Sequence, residues 1–307
     1  MLKSKLLIFL GILVFLGAVA QAQSVNHPFF LAGDGHIKIR NQHNGLSLDA
    51  VYQTPDGQLD ESVFLKIDRV FGFPTNLMGE NISRRTIAML DYFSDRVAPG
   101  KTVVLVSGYR SQDYNNALRA KGRTAARTST HIDGMAADFS IEGVNGTKFW
   151  DMVRGMKCCG IGYYYGDVVH LDSGRPRYWK TETSKVKTDA SAFNRQMYLS
   201  AEYDRYQAGD KVRLLFTSVS DFGFGIEPQI KLVDEIKTEK VLDKTILDGV
   251  DTCKKIIKRK DGRFLSMTLP TSLKPGRYRV QLDFCERPFE EMPKSSLSGP
   301  IEIVRLQ

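Results

Sequence analysis

Ser129-Thr130-His131-Ile132-Asp133-Gly134-Met135-Ala136-Ala137-Asp138 is the stretch on which the reading of this chain turns. It sets an imidazole and a carboxylate seven positions apart across a turn that contains Gly134. A second imidazole, His170, follows in Asp167-Val168-Val169-His170-Leu171-Asp172, whose apolar residues read as a short strand. Two His and one Asp suit zinc, which takes neutral imidazole nitrogen and carboxylate oxygen at about 2.0–2.2 Å. Three protein ligands leave the fourth position open for water, the mark of a reactive site and not of a structural one. Residue types alone keep the plainer reading open, because a His followed by an Asp recurs by chance and a lone His is more often a surface or core side chain.

Outward from this stretch, the chain reads as mixed α and β from about Asn26 to Lys180. Ser83 can cap a helix whose apolar positions Ile87, Leu90, Phe93 and Val97 recur at helical spacing, with Pro99-Gly100 as its stop. Thr102 to Val106 is a β-branched run with the character of a buried strand. Ser111 can cap a second helix running through Lys121 to Gly122. Phe149, Met152, Val153 and Met156 line one face of a third. Lys180 to Ala192 is polar, rich in Thr, Ser and Lys, and reads as a linker. Beyond it, strand patterns follow one another at Lys211–Thr217, Gln229–Val233, Phe264–Leu269 and Arg277–Phe284, with Ile301, Val304 and Leu306 near the end. Short strands with Pro/Gly turns and no clear helix predict a β-sandwich.

The chain has 307 residues, room for two domains of roughly 150 residues each. Lys3 and Lys5, the apolar run Leu6 to Val19 and the small residues up to Ala22 make a secretory signal peptide over residues 1–22. No later segment is long and apolar enough to span a membrane, so no stable span is expected once the signal is removed. The formal charge of +8 falls to +6 without Lys3 and Lys5, which suits an anionic surface or simple solubility. No zinc-finger, homeodomain or RNA-binding pattern points to nucleic acid. Cys158, Cys159, Cys253 and Cys285 lack the paired C-x-x-C spacing of a structural zinc site. Adjacent cysteines rarely bond to each other, and Cys253 with Cys285 is a possible pair. A cysteine peptidase built on Cys158 or Cys159 has no Cys-His motif to support it.

S-x-H-x-x-G-x-A-x-D with a later His resembles the signature of the LAS metallopeptidases, which include lysostaphin-type enzymes, D-alanyl-D-alanine peptidases and the hedgehog domain. The YcbK-like branch of murein endopeptidases is the nearer likeness. Ser107-Gly108-Tyr109-Arg110-Ser111, then Asn115 and Leu118-Arg119, then Gly160-Ile161-Gly162-Tyr163-Tyr164, and finally Val169 to Trp179 fit its segments in order, as does Ile39 to Tyr52 at the start. The likeness covers roughly residues 35 to 180.

That resemblance implies an α+β, LAS/hedgehog-like zinc peptidase domain over residues 23–180. Residues 181–192 are then the linker, and residues 193–307 a β-sandwich accessory domain. It implies that His131, Asp138 and His170 hold Zn2+, that Asp167 is the general base, and that Arg110 steadies the oxyanion. Related peptidases often carry Glu where Asp167 stands, and Gly166 could re-aim the shorter side chain. Arg110 could instead serve as a structural ion pair. Asp172 lies two residues beyond His170 on the same strand face, where it could orient an imidazole or be an ordinary strand-end carboxylate. Asp133 is expected on a solvated loop. His27, His36 and His43 are expected to be structural or surface residues, and the sequons at Asn81 and Asn145 to be chance. The basic run around Lys254-Lys255 and Lys258-Arg259-Lys260 reads as a solvated loop or a contact for wall polymer. The implied activity is cleavage of peptidoglycan stem-peptide cross-links in the periplasm or cell envelope. A D-Ala-D-Ala-type carboxypeptidase and a non-catalytic wall-binding protein are the alternatives. The bond cut, the role of the C-terminal part and the oligomeric state stay open at this level.

Overall fold

The computed structural model describes residues 27–74, 81–122, 125–184, 193–220 and 223–305. The expected signal-peptide segment, most of the expected linker and Leu306 lie outside the described residues. In chain order the first unit comprises β1 (His36–Asn41), β2 (Ser47–Val51), α1 (Glu61–Phe71), α2 (Arg84–Val97), β3 (Val103–Ser107), α3 (Gln112–Ala120), β4 (Ala136–Ile141), α4 (Gly146–Met156), β5 (Gly160–Tyr165), β6 (Val168–Asp172) and β7 (Arg177–Lys180).

The seven strands form one sheet in the order β2-β1-β3-β4-β6-β5-β7. The pairings β3–β4, β4–β6 and β5–β6 are antiparallel, while β1–β3 and β5–β7 are parallel. Ile37, Ile39, Leu105, Phe139, Ile161 and Leu171 of the sheet pack against Ile67, Phe71, Ile87, Leu90, Phe93 and Phe149 of the helices. Each such side chain contributes about 1.5–3 kcal/mol on burial, so this layer fixes where the site strands lie.

The capping residues explain the helix limits. The Ser111 hydroxyl accepts from the Tyr114 amide at 3.2 Å and starts α3. The Asn145 side chain accepts from the Lys148 amide at 3.0 Å, so one expected chance sequon is the cap of α4. Ser83 stands at the start of α2 without a side-chain cap bond; its hydroxyl instead accepts from Ser173 at 3.3 Å. Helix α1, capped by Asp60 and ended by Gly72 in the left-handed region, was not read from the sequence.

The second unit comprises β8 (Tyr198–Ala201), β9 (Arg205–Gln207), β10 (Lys211–Thr217), β11 (Phe224–Ile226), β12 (Gln229–Asp234), β13 (Val241–Ile246), β14 (Lys254–Ile256), β15 (Leu265–Thr268), β16 (Gly276–Asp283) and β17 (Ser295–Val304). Its main sheet runs β13-β12-β16-β17-β8-β10-β15, with β9 beside β17 and a separate pair β11–β14. A bridge between Leu247 and Met267 brings the two ends of that path together, so the sheet curls over a core that includes Leu214, Phe216, Leu232, Val280 and Leu282. Among the described residues this unit has no α-helix. The protein is thus α+β with an additional β-rich unit.

Cys253 is joined to Cys285, and the neighbours Cys158 and Cys159 are joined to each other, against the expectation for adjacent cysteines. No cysteine is left as a free thiol, which removes the nucleophile a cysteine peptidase would need.

The two units are tied at several places, among them Arg85 of α2, which donates to the Tyr203 carbonyl at 3.0 Å and pairs with Asp204 at 2.7 Å. The Phe30 amide donates to Asp204 at 2.9 Å, and Arg205 donates to the His27 and Phe29 carbonyls at 2.9 Å each. Asp133 accepts from Arg259 at 2.7 and 2.8 Å and from the Ser218 amide at 3.0 Å. Asp133 is therefore not solvated: it is 1% exposed, because the second unit covers it.

Candidate metal centre and cleft

Register builds the site. In the β4–β6 ladder Asp138 stands opposite His170 and Ala136 opposite Asp172, so the expected carboxylate and the second imidazole are direct cross-strand neighbours. His131 arrives from the turn before β4. The Gly134 amide donates to the His131 carbonyl at 3.3 Å, and the Met135 amide to the Thr130 carbonyl at 3.0 Å. Gly134 has φ 65°, and a Cβ there would lie 2.5 Å from the Asn81 carbonyl oxygen. The turn is therefore closed by a residue that must be glycine.

His131, Asp138 and His170 are all buried, with one donor atom of each within 4.8 Å of the others. His131 Nδ1 lies 2.7 Å from the Gly108 carbonyl, so this nitrogen carries the proton and Nε2 presents a lone pair. His170 Nε2 lies 2.7 Å from Asp172 Oδ2, so it donates there and leaves a lone pair on Nδ1. These two lone-pair nitrogens are 3.2 Å apart, and Asp138 Oδ1 is 3.1 Å from the first and 2.9 Å from the second. Three buried acceptors converging on one point repel unless a cation or proton lies between them. The donor set therefore fits a divalent metal ion, and its two imidazole nitrogens suit zinc over magnesium or calcium.

The surrounding charges hold these roles. Burial would raise the Asp172 carboxyl, but the Arg177 guanidinium and the His170 bond outweigh it and keep it well below the usual carboxylate range. Arg177 binds Asp172 through both terminal nitrogens, at 2.9 and 2.7 Å, and the Gly174 amide adds a bond at 3.0 Å. Of its two expected readings, Asp172 thus orients an imidazole. Burial, helped by Arg110, lowers the His131 pKa and keeps its ring neutral. Burial would also raise Asp138, but the nearby His131 and His170 rings hold its carboxyl down.

Arg110 donates from Nη2 to Asp138 Oδ2 at 2.6 Å and from Nε to Ser107 at 2.9 Å. It touches the cluster and lines the cleft above it. Asp167 is not brought there. Successive residues of β6 point to opposite faces, and the β5–β6 turn at Gly166 (φ 57°) leaves Asp167 exposed, with Oδ1 accepting from the Gly146 amide at 3.1 Å at the start of α4. In this geometry the carboxylate of the expected general base satisfies a helix-start amide. His36 pairs with Asp49 at the surface, and His43 lines the cleft.

The cleft has a volume of about 1070 Å³, and His131, Asp138 and His170 contribute to its lining. Tyr164, Tyr165, Tyr178 and Trp179 give it an aromatic wall. Burial pushes the Tyr164 hydroxyl well above its ordinary value, with Asp138 adding to the effect, so it stays a protonated donor. Sequence reasoning missed Tyr164 and Thr130 as members of the site, and it considered Arg177 as a cation for substrate and not as the partner of Asp172. The Arg177–Asp172 pair had a signal, since a carboxylate and an arginine sat five positions apart around a Gly-Arg-Pro turn.

A family profile described as peptidoglycan L,D-endopeptidase MepK matches residues 32–179. The peptidoglycan L,D-endopeptidase MepK of Escherichia coli K12 is 33% identical over 145 residues, which is 47% of this chain and 79% of the relative. The chain belongs to the MepK family. The protein of the same name from Shigella flexneri aligns with the same identity and coverage. No solved structure gives a significant match. Every residue of the His131–Asp138–His170 cluster lies inside the MepK match, as do Arg110, Asp172 and Arg177. The β-rich unit lies beyond its last matched residue.

Proposed function

We propose that this protein is an exported, zinc-dependent endopeptidase that hydrolyses peptide cross-links of peptidoglycan at an L,D-configured bond. The observation that carries the reading is the convergence of three buried acceptor atoms at the wall of a large cleft, within the segment shared with MepK. His131, Asp138 and His170 would hold the ion. Zinc so held supplies a bound water of lowered pKa and polarises the scissile carbonyl. Arg110 fixes the unshared oxygen of Asp138 and presents its guanidinium to the cleft, where it can steady developing negative charge. The Tyr164 hydroxyl is a second donor on the same wall. The aromatic wall excludes water around the bound peptide, which strengthens these interactions.

The finer fold reading belongs to the same proposal. Residues 23–180 form a LAS/hedgehog-like peptidase domain, residues 181–192 a linker, and residues 193–307 a β-sandwich accessory domain. The order of strands around β4 and β6, and the separate apolar core of the β-rich unit, support it. Residues 1–22 would direct the chain to the envelope, where its substrate lies, and among the described residues no helix is long and apolar enough to cross a membrane.

A second reading, carboxypeptidase action, has one observation in its favour: Arg175 also lines the cleft and could bind a terminal carboxylate. The test is incubation of the purified protein with intact sacculi, with and without a chelator, alongside cross-linked dimers and monomeric pentapeptides. Chelator-sensitive conversion of dimers to monomers is expected. Trimming of monomers with dimers left intact would replace the endopeptidase reading, and turnover unaffected by chelator would remove the metal.

A further inference from the structure

The turn that carries His131 is held from outside the matched segment. Arg259 opens a 3-10 turn, Arg259–Arg263, in the β-rich unit. Its Nε donates to Asp133 Oδ1 at 2.7 Å and its Nη2 to Asp133 Oδ2 at 2.8 Å. Nη2 also donates to the Ser129 carbonyl at 3.0 Å. One guanidinium therefore grips both ends of the turn 129–133, with His131 between them. Nη1 donates to the Val219 carbonyl at 3.1 Å, which anchors the arginine in its own unit.

A second contact converges on the same carboxylate. Ser218 has φ 56°, a left-handed conformation unfavourable for a serine, and its amide donates to Asp133 at 3.0 Å. Ser218 and Gln196 also line the cleft, so the β-rich unit supplies part of its wall. Asp133 touches no expected metal ligand through its side chain. Its near-complete burial is maintained by groups from 85 and 126 positions further along the chain.

We infer that Arg259 is a positioning residue for the metal centre, acting through Asp133 and the Ser129 carbonyl to hold the turn that presents His131. This rests on the reading of His131 as a metal ligand. Planar, bidentate recognition of both carboxylate oxygens suits arginine and not lysine, whose ammonium is a point charge. The accessory unit is then part of how the site is shaped, and not only an appendage for attachment. Groups bonded directly to a metal ligand typically change metal affinity by about 10–100-fold when removed, and Arg259, which acts through the backbone of the ligand's turn, is expected at the low end of that range.

The experiment uses the full chain as wild type, Arg259→Ala, Arg259→Lys, Asp133→Asn and Arg205→Ala. The last removes a contact between the units that touches residues 27 and 29 and not the turn. Zinc affinity is measured by competition with a chromogenic chelator, thermal unfolding by circular dichroism, and kcat and KM on purified cross-linked dimers. Wild type is expected to hold one zinc. Arg259→Ala and Asp133→Asn are expected to bind zinc about tenfold or more weakly, with kcat reduced and KM little changed. Arg259→Lys should fall between, and Arg205→Ala should lower the melting temperature with wild-type zinc affinity. Zinc affinity of Arg259→Ala within twofold of wild type, or an equal loss in Arg205→Ala, would overturn the inference. If Arg259→Ala does not fold, wild-type affinity in Arg259→Lys overturns it instead. A wild-type chain that takes up no zinc removes the ligand reading itself, and this inference with it.

Discussion

His131 and His170 each commit one ring nitrogen to a fixed acceptor, the Gly108 carbonyl for the first and Asp172 for the second. The free nitrogens then have a defined direction before any ion arrives. Replacing His170 with Ala is expected to abolish most bound metal, since no other imidazole faces that point among the described residues; elemental analysis of purified protein checks this, and full occupancy would refute it. Asp172→Asn should keep the metal but weaken it about 10–100-fold, read by the same chelator competition. Asp167 leads to the opposite expectation. Asp167→Ala should leave turnover within a few-fold of wild type and cost about 1 kcal/mol of stability through the lost helix-start bond. A collapse of turnover would return it to the role of base. At this scale residue types alone left the plainer reading of His131, Asp138 and His170 open, and it was the family resemblance that singled out the three side chains the fold brings together. The place of Asp167 was not legible, because one position along a strand exchanges the two faces of the sheet. Nor was the burial of Asp133, whose partner lies 126 positions away.

At the scale of elements, the site depends on the β4–β6 register and on the turn closed by Gly134. Gly134→Ala would require both a strained φ and a shift of the Asn81 carbonyl. Weaker zinc binding and a lower melting temperature are expected together. A second element-level device lies where α2 meets the start of β1. Asp91 accepts from the Tyr52 hydroxyl at 2.7 Å and from the Gly35 amide at 3.0 Å. Burial, against the Tyr52 bond and with Asp95 nearby, pushes its carboxyl up to about 7. In the unfolded chain such a group titrates near its ordinary value of 3.8. Between those pH values the folded state keeps a proton that the unfolded state releases, so this group's stabilising contribution is present at low pH and is lost as pH rises toward 7. Asp91→Asn cannot titrate, so its melting temperature relative to wild type should rise as pH goes from about 4 to about 8. A pH-independent difference would contradict this. Helix α2, strand β3 and strand β6 were legible from period and β-branching. Helix α1 was missed because its pattern sits among Asp, Glu and Lys without an apolar run long enough to stand out.

For the whole molecule, the two apolar cores are separate, yet Asp133 and residues 27–30 depend on the β-rich unit. Cutting the chain after residue 190 removes both the arginine that grips Asp133 and the unit that covers it, so the carboxylate meets water and the turn 129–133 loses its outside brace. The lost ties at Asp133 and at residues 27–30 are expected to lower the melting temperature of the first unit alone, by about 2–4 °C for each kcal/mol of contact removed. A fragment that melts with the full chain would show the first unit to be self-sufficient. The dependence of Phe30 on Asp204 also has a consequence in time. Its amide is synthesised 174 positions before its acceptor. At about 5–20 residues per second, a nascent chain waits roughly 10–35 s before that tie can form. The earliest described residues are thus fastened only after most of the first unit has been made: a ribosome halted anywhere before Asp204 leaves the amide of Phe30 with nothing to grasp.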